Sequence, residues 1–312
     1  MSCISPLPAV RSDYINANGK FPMLFDSKSL SKVHFDDLQW MPCGRCVTCR
    51  LKNSSDWSFR MLCEAKMHPT SSFITLTFSP DNVPSDGSLN VDTFKDFMKR
   101  LRRRLDYNFG VKIRFFHCGE YGDLNFRPHY HAVIFGWDFP DKTVWKNSPS
   151  GFPICRSPLL EELWPFGFSS VGAVSFESCA YVARYVLKKR SGDLARELYD
   201  RVDVSTGELF TLQPEYATMS RMPGIGYDFF KSHYTDIYPK DFMTFGDGRR
   251  LQPPPYFDDL LKKFQPDLFD EVKINRSFKN QYKEPFSFSR ADSIRKCFEA
   301  KIKSLVRTLD NS

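Results

Sequence analysis

Polar and apolar residues alternate along the segment SFITLTF. Ile74, Leu76 and Phe78 occupy one set of alternate positions, and Thr75 and Thr77 occupy the other. This period of two is typical of a β-strand with one buried face. The segment NVDTFKDFMKRLRRRLDY instead repeats its apolar residues at helical spacing, which predicts an amphipathic helix. Its apolar stripe comprises Phe94, Phe97, Met98, Leu101 and Leu105.

Further periodic segments follow in a regular order. The patterns of VKIRFFHCGEYG, PHYHAVIFGW and SSVGAVSF predict strands, and those of SPLLEELWPFGF and ESCAYVARYVLKKR predict helices. From residue 72 to residue 190 the order is therefore strand, helix, strand, strand, helix, strand, helix. Such an order predicts an α+β fold, in which helices pack on a mainly antiparallel sheet.

The pattern is weaker on both sides of this region. We expect an N-terminal extension with a cysteine cluster and one helix over 1–70, a core domain over 71–191, and a C-terminal extension of helices and loops over 192–312. Residues 1–52 and 138–157 are expected to be mostly loop, and short helices are expected near 255–264 and 290–307.

Composition narrows the class of protein. Of the 312 residues, 41% are hydrophobic and 26% are charged, which is typical of a soluble globular chain. No apolar run is long enough to cross a bilayer and the N-terminus lacks a signal-peptide pattern, so we expect an intracellular protein without a membrane contact. Nine irregularly spaced cysteines favour thiols or metal ligands over a secreted disulfide scaffold. A net charge of +7 with 15% aromatic residues is compatible with nucleic-acid binding.

The segment RPHYHAVIF carries the first candidate chemistry. His129 and His131 lie on the same face of the predicted strand. If this strand forms a hairpin with the preceding one through YGDLNFR, Glu120 lies beside both imidazoles. Two histidines and one carboxylate suit a divalent ion such as Mg²⁺ or Mn²⁺ with open positions for substrate. The alternative is that the histidines are ordinary polar residues and Glu120 forms a salt bridge with Arg127 or Arg114.

The segment YVARYVLKK carries the second. On a helix, Tyr181, Tyr185 and Lys188 fall within about 60° of one another. Aliphatic residues fill the opposite arc, so we expect the two tyrosines and the lysine to face outward together. A phenol can attack a phosphate that a divalent ion and a lysine stabilise. The alternative is that the tyrosines are partly buried packing residues.

Together, FITLTF, PHYH and YVARYVLKK resemble, in order and spacing, the three motifs of HUH-type rolling-circle replication initiators. The motifs cover about residues 73–189, and the flanking CGRCVTCR and MSRMPGIG resemble the gokushovirus branch of the microviruses. The resemblance implies an HUH endonuclease core with an RRM- or ferredoxin-like sheet. Plasmid relaxases and transposases of the HUH type share this chemistry, and a non-catalytic nucleic-acid-binding protein with stacking aromatics is an alternative of another class.

The resemblance also implies roles for individual residues. His129, His131 and Glu120 would hold the metal, and Tyr181 and Tyr185 would alternate as nucleophiles that nick and rejoin single-stranded DNA. Lys188 resembles the lysine that follows the tyrosines, and Lys189 competes for that role. The expected partners are a single-stranded or supercoiled viral origin and the host helicase and polymerase, in the bacterial cytoplasm.

Two further groups are candidate sites. Cys43, Cys46 and Cys49 form C-x2-C-x2-C, one ligand short of a four-cysteine structural Zn²⁺ site, which Cys63, Cys3 or His34 could complete. The alternative is a set of free thiols. The second group consists of cations that could contact DNA phosphates, or simply lie on a solvated surface. They are Lys99, Arg100 and Arg103 on the basic helix, together with Arg127 and Lys189.

Overall fold

The computed structural model describes residues 3–304, except residues 18, 20, 35–37, 123–125, 149–150, 186–198, 203–205, 246–247 and 282–286. The strands are β1 (Leu7–Arg11), β2 (Met23–Leu24), β3 (Gln39–Met41), β4 (Ser71–Phe78), β5 (Arg114–Tyr121), β6 (Pro128–Phe135), β7 (Thr143–Asn147), β8 (Pro153–Arg156), β9 (Gly167–Gly172), β10 (Asp200–Val202), β11 (Leu209–Thr211), β12 (Tyr216–Met219), β13 (Met243–Thr244) and β14 (Arg250–Leu251). The helices are α1 (Ser27–Leu30), α2 (Val47–Lys66), α3 (Val91–Phe109), α4 (Pro158–Leu163), α5 (Phe176–Tyr185), α6 (Tyr227–Ile237), α7 (Pro255–Phe264), α8 (Pro266–Gln281) and α9 (Phe288–Ser304).

A seven-stranded sheet in the order β12-β5-β6-β4-β9-β8-β7 forms the centre of the fold. Neighbouring strands run antiparallel throughout. The sheet with its helices confirms the predicted α+β class. The loop expected at 138–157 is wrong, because β7 and β8 form a hairpin at the edge of the sheet. The three-stranded sheet β2-β1-β3 likewise corrects the expectation that residues 1–52 are mostly loop.

Hydrophobic cores cover both faces of the large sheet. On one face, Ile74, Leu76 and Phe78 of β4 pack with the apolar stripe of α3 that the sequence predicted. On the other face, residues of β5 and β6 pack with α2 and α5. The central strands β5 and β6 are thus buried on both sides, and the polar face of β4 lies on the same side as α5.

Local signals explain where the helix α3 begins and ends. The Asn90 side chain accepts a hydrogen bond from the backbone N–H of Asp92 at the start of α3. Gly110 ends the helix in the left-handed conformation, with φ of 63°.

The described chain divides into two compact units. One contains the residues up to Asn53 together with those from Lys279 onward, and the other contains Ser54–Phe278. The boundaries that we expected at residues 70 and 191 stay predictions. Among the described helices, each is too short or too polar to cross a lipid bilayer.

Candidate active site

The pairing of β5 with β6 brings Glu120 beside the two histidines. Glu120 lies directly opposite His129 in the ladder, as the hairpin prediction required. Its Oε1 atom is 2.9 Å from His129 Nε2 and 2.8 Å from His131 Nε2. One ligand atom from each of the three residues lies within 4.8 Å of the others. Arg114, the alternative partner, instead forms an ion pair with Glu64.

Hydrogen bonds to the far side of each imidazole fix how the rings are oriented. His129 Nδ1 lies 3.1 Å from the carbonyl oxygen of Arg127. His131 Nδ1 lies 2.9 Å from the Thr75 hydroxyl, which comes from the neighbouring strand β4. Such outer partners orient metal-binding histidines and direct the other ring nitrogen toward the ion.

The donor atoms fit a cation. A carbonyl oxygen only accepts hydrogen bonds, so His129 Nδ1 carries a proton. His129 Nε2 then faces the Glu120 carboxylate at 2.9 Å. Two acceptors at this distance are satisfied only by a second ring proton or by a cation between them. The three residues could therefore hold a divalent ion.

Glu120 is the most buried member of this group. Only 1% of its side chain is exposed, against 15% for His129. Burial raises the pKa of Glu120, but the hydrogen bonds and positive charge of His129 and His131 outweigh burial and lower the pKa to about 2. The carboxylate is thus anionic at neutral pH, as a ligand for a divalent ion must be.

Tyr181 extends from α5 into the same cluster. Its hydroxyl donates a hydrogen bond of 3.0 Å to Glu120 Oε1, and its ring lies 4.9 Å from the His131 ring. Because Tyr181 is only 8% exposed, our expectation that it faces outward is wrong. The buried arc of α5 is wider than the aliphatic residues alone suggested, and it includes Tyr181 together with Val182 and Ala183.

The position of α5 is set at both its start and its middle. Ser175 and Ser178 each accept a hydrogen bond from the backbone N–H of the other at the start of the helix. Ser54 of α2 donates to the carbonyl oxygen of Ala180, next to the tyrosine. These contacts hold Tyr181 against the sheet.

The second tyrosine and the lysines are less defined. Tyr185 is the last residue of α5, one turn after Tyr181, and its side chain lies outside the described residues. Lys188 and Lys189 also lie outside them. Their predicted roles stay predictions.

The candidate DNA-binding cations lie in two different places. Lys99 pairs with Asp96 at 2.8 Å, and Arg100 donates to the carbonyl oxygen of Leu163. Like Arg103, they belong to α3, which packs on the face of the sheet opposite the Glu120 cluster. Arg127 directly precedes β6 and donates to the carbonyl oxygen of Phe78. Of the described candidates, Arg127 is therefore the one beside the possible metal centre.

A second group of possible metal ligands lies in the N-terminal part. Cys43, Cys46 and Cys49 come together with Cys3, so that one sulfur from each lies within 4.8 Å of the others. Cys63 is instead buried in a core cluster, and His34 is not part of the group.

An antiparallel sheet that carries two histidines, a carboxylate and a tyrosine defines the class as a candidate metal-dependent phosphoryl-transfer protein. Residues 71–190 match the family model of replication-associated proteins of the ORF2 type. The chain belongs to the replication-associated proteins of microvirus-type phages.

Three relatives support this assignment. The chain is 30% identical over 246 residues to "Replication-associated protein ORF2" of Spiroplasma virus 4, covering 76% of this chain and 72% of the relative. It is 34% identical over 227 residues to "Replication-associated protein ORF4" of Chlamydia phage 1, covering 72% of this chain but only 54% of that relative's length. It is 27% identical over 285 residues to "Replication-associated protein VP4" of Bdellovibrio phage phiMH2K, covering 90% and 84%. No solved structure matches.

Sequence reasoning missed one residue beside the histidines. Thr75 was placed on the polar face of β4, but its hydrogen bond to His131 depends on which strands are neighbours. The alternation of threonines in SFITLTF was the available signal, because polar residues on a central strand need partners.

Proposed function

We propose that this chain is a metal-dependent endonuclease and strand transferase that starts and ends rolling-circle replication of phage DNA. Membership of the replication-associated family gives the role in phage replication. The single observation that carries the finer proposal is the contact of Tyr181, Glu120, His129 and His131 in one cluster.

Glu120, His129 and His131 would hold the divalent ion, Mg²⁺ or Mn²⁺. When bound, such an ion polarises the scissile phosphate and stabilises the negative charge that develops on it. The low pKa of Glu120 keeps its carboxylate ionised. The hydrogen bonds of both Nδ1 atoms keep the imidazoles in place while DNA binds.

Tyr181 is the nucleophile in this proposal. Its phenol oxygen attacks the phosphorus and releases its proton to solvent. A P–O bond to the tyrosine forms while the bond from phosphorus to the 3′ oxygen breaks. The departing oxygen takes up a proton, so the products are a 5′-phosphotyrosine and a free 3′-OH. The phosphodiester energy is kept in the new link, which allows later rejoining without ATP.

Tyr185 would act as the second nucleophile. After the host polymerase has extended the 3′-OH, Tyr185 cleaves the regenerated origin, and the new 3′-OH attacks the first phosphotyrosine to release a circle. Lys188, with Lys189 as the competing candidate, would stabilise the phenolate. The helical-turn spacing of the tyrosines supports this relay, and the roles of the lysines rest on the family resemblance.

The DNA partner is a single-stranded or supercoiled origin, which is joined by the host helicase and polymerase in the bacterial cytoplasm. Arg127 would contact a phosphate next to the metal centre. Lys99, Arg100 and Arg103, on the other face of the sheet, would contact DNA away from the scissile phosphate.

The test is adduct formation on a denaturing gel. The full chain is incubated with Mn²⁺ and overlapping single-stranded oligonucleotides that tile the genome encoding it. Wild type should give a covalent adduct with one or a few oligonucleotides. The double variant Tyr181→Phe, Tyr185→Phe should give none, and Tyr107→Phe on the exposed surface of α3 should match wild type.

A metal control accompanies this test. His129→Ala should abolish the adduct at any Mn²⁺ concentration, whereas His233→Ala, at an exposed position, should not. An adduct from the double tyrosine variant would remove the tyrosines from the mechanism. DNA binding by a folded wild type without any adduct would instead favour a non-catalytic nucleic-acid-binding protein.

A further inference from the structure

The four clustered cysteines come from separate parts of the N-terminal region. Cys3 precedes β1, whereas Cys43, Cys46 and Cys49 follow β3 and enter α2. The antiparallel pairing of β1 with β3, with Leu7 opposite Met41, brings the two parts together. Cys3 Sγ lies 3.6 Å from Cys43 Sγ and 3.7 Å from Cys46 Sγ.

These distances fit thiolates around one ion. Zinc–sulfur bonds of about 2.3 Å in a tetrahedron place neighbouring sulfurs about 3.8 Å apart. A disulfide would need about 2.05 Å, and all four cysteines are free. The sulfur separations are therefore those of a tetrahedral metal site.

Hydrogen bonds to the sulfurs also favour thiolates. The backbone N–H of Cys43 donates to Cys3 Sγ at 3.4 Å, and that of Cys46 donates to Cys43 Sγ at 3.3 Å. Burial raises the pKa of Cys46, but hydrogen bonds from Thr48 and from backbone N–H groups lower it to about 6. Donors around a sulfur of this kind are the usual outer partners of metal-bound thiolates.

The surrounding structure has little else to stabilise it. Among the described residues up to Asn53, Ala9 is the only buried hydrophobic residue. A region with so small a core commonly needs a disulfide or a structural metal.

We propose that Cys3, Cys43, Cys46 and Cys49 bind one Zn²⁺ in a closed structural site. All four positions around the ion are filled by the protein, so the site is not catalytic. It ties the residue before β1 to the start of α2 and replaces the missing hydrophobic core of this region.

The test measures zinc in the purified full chain by elemental analysis. Because the histidine cluster could also bind zinc, the measurement is made in the His129→Ala background. About one zinc per chain is expected there, and Cys3→Ser or Cys49→Ser should lose it. Cys297→Ser, which removes an exposed thiol outside the cluster, should retain it.

A second measurement covers the case in which the serine variants do not fold. In the His129→Ala chain, replacement by Co²⁺ should give the thiolate-to-metal absorption of a tetrahedral site, and alkylation should modify the four thiols only after a chelator is added. The proposal is wrong if these thiols alkylate freely without chelator, if they form disulfides, or if Cys3→Ser keeps its full zinc content.

The sheet also carries an aromatic residue in line with the histidines. Glu120, His129, Thr77 and Phe168 form one row across β5, β6, β4 and β9, because each is the ladder partner of the next. Directly paired residues point to the same face of an antiparallel sheet. Phe168 is thus on the face of the metal centre, two strands or roughly 10 Å from His129.

Phe168 is exposed on this face. Its side chain is 60% exposed, although it belongs to a strand inside the large sheet. α5 covers β5 and β6, and α4 packs with the core on the opposite face. An exposed aromatic ring beside a centre for DNA cleavage is a platform for a nucleobase.

We infer that Phe168 stacks on a base of the single-stranded DNA next to the scissile phosphate; this inference rests on the proposed function. The stacked base would fix the position of the phosphate relative to Tyr181. Phe168 is thus a positioning residue and takes no part in bond making.

The test compares oligonucleotide binding and adduct kinetics of Phe168→Ala with wild type. A stacked base corresponds to a roughly 5- to 150-fold loss of affinity, which should raise KM far more than it lowers kcat. Phe168→Trp should restore binding, and Tyr107→Ala, which removes an exposed ring from α3, should have no effect.

The two proposals fail in different ways. If wild type forms the adduct and Phe168→Ala keeps its KM and oligonucleotide affinity, the stacking role is wrong and the proposed function stands. If wild type binds oligonucleotide but forms no adduct, the proposed function fails, and the affinity of Phe168→Ala still decides the stacking role.

Discussion

Replacing Thr75 by valine tests whether the cluster is a metal centre. The change keeps the shape of the side chain and removes the hydroxyl 2.9 Å from His131 Nδ1. When Nε2 of His131 binds an ion, Nδ1 carries the proton and donates to this hydroxyl. In the valine variant the N–H loses its acceptor at a site where His131 is only 6% exposed, so water replaces the hydroxyl poorly.

The size of the effect follows from this lost partner. A buried donor without an acceptor costs about 1–3 kcal/mol. Since about 1.4 kcal/mol corresponds to a factor of ten, the affinity for Mn²⁺ should fall roughly 10- to 100-fold. At saturating Mn²⁺ the adduct should form at nearly the wild-type rate, because Tyr181 and the three ligands are unchanged.

The assay is a Mn²⁺ titration of adduct formation, together with calorimetric Mn²⁺ binding to the full chain. Thr77→Val is the matched control, because Thr77 lies on the same face of β4 but makes no hydrogen bond to either histidine within the described structure. Equal half-saturation in Thr75→Val and wild type would refute the reasoning. An equal loss in Thr77→Val would refute it as well.

Three further predictions address the relay, the fold and pH. Either single variant, Tyr181→Phe or Tyr185→Phe, should nick oligonucleotides but not release circles; complete circles from both would exclude the relay. Gly167→Ala, whose Cβ would overlap the β4 backbone, should cost about 3 kcal/mol in denaturant unfolding, whereas Gly172→Ala, with ordinary contacts, should be nearly neutral. Burial raises the pKa of Glu64, but His68, the Gly226 N–H and Arg114 lower it overall. Glu64→Gln should therefore cost about 3 kcal/mol at neutral pH, and its difference from wild type should shrink as the pH falls below about 4.3; a pH-independent difference would contradict this.

The central sheet and the histidine cluster could be predicted because their signals are local. Alternation placed Thr75 and His131 on polar faces, and the short YGDLNFR connection fixed which strands form the hairpin. The register of that hairpin then put Glu120 opposite His129. Few alternatives fit a turn of this length.

Features that depend on distant residues could not be predicted in the same way. The hairpin of β7 and β8 lies at the sheet edge and is mostly exposed, so it has little hydrophobic alternation. Cys3 was one of three candidates for the fourth sulfur, because forty residues separate it from Cys43. The inward position of Tyr181 depends on how α5 packs, and the periodicity of one helix does not fix its orientation on a sheet.

The most direct test of the account is to identify the residue that carries the DNA. The adduct formed by Tyr185→Phe with Mn²⁺ and its preferred oligonucleotide is digested, and the modified peptide is sequenced by mass spectrometry. The account predicts a nucleotide linked through phosphate to Tyr181, the tyrosine bonded to Glu120. A nucleotide on any other side chain, or an undiminished adduct when Tyr181 is also replaced by phenylalanine, would contradict it.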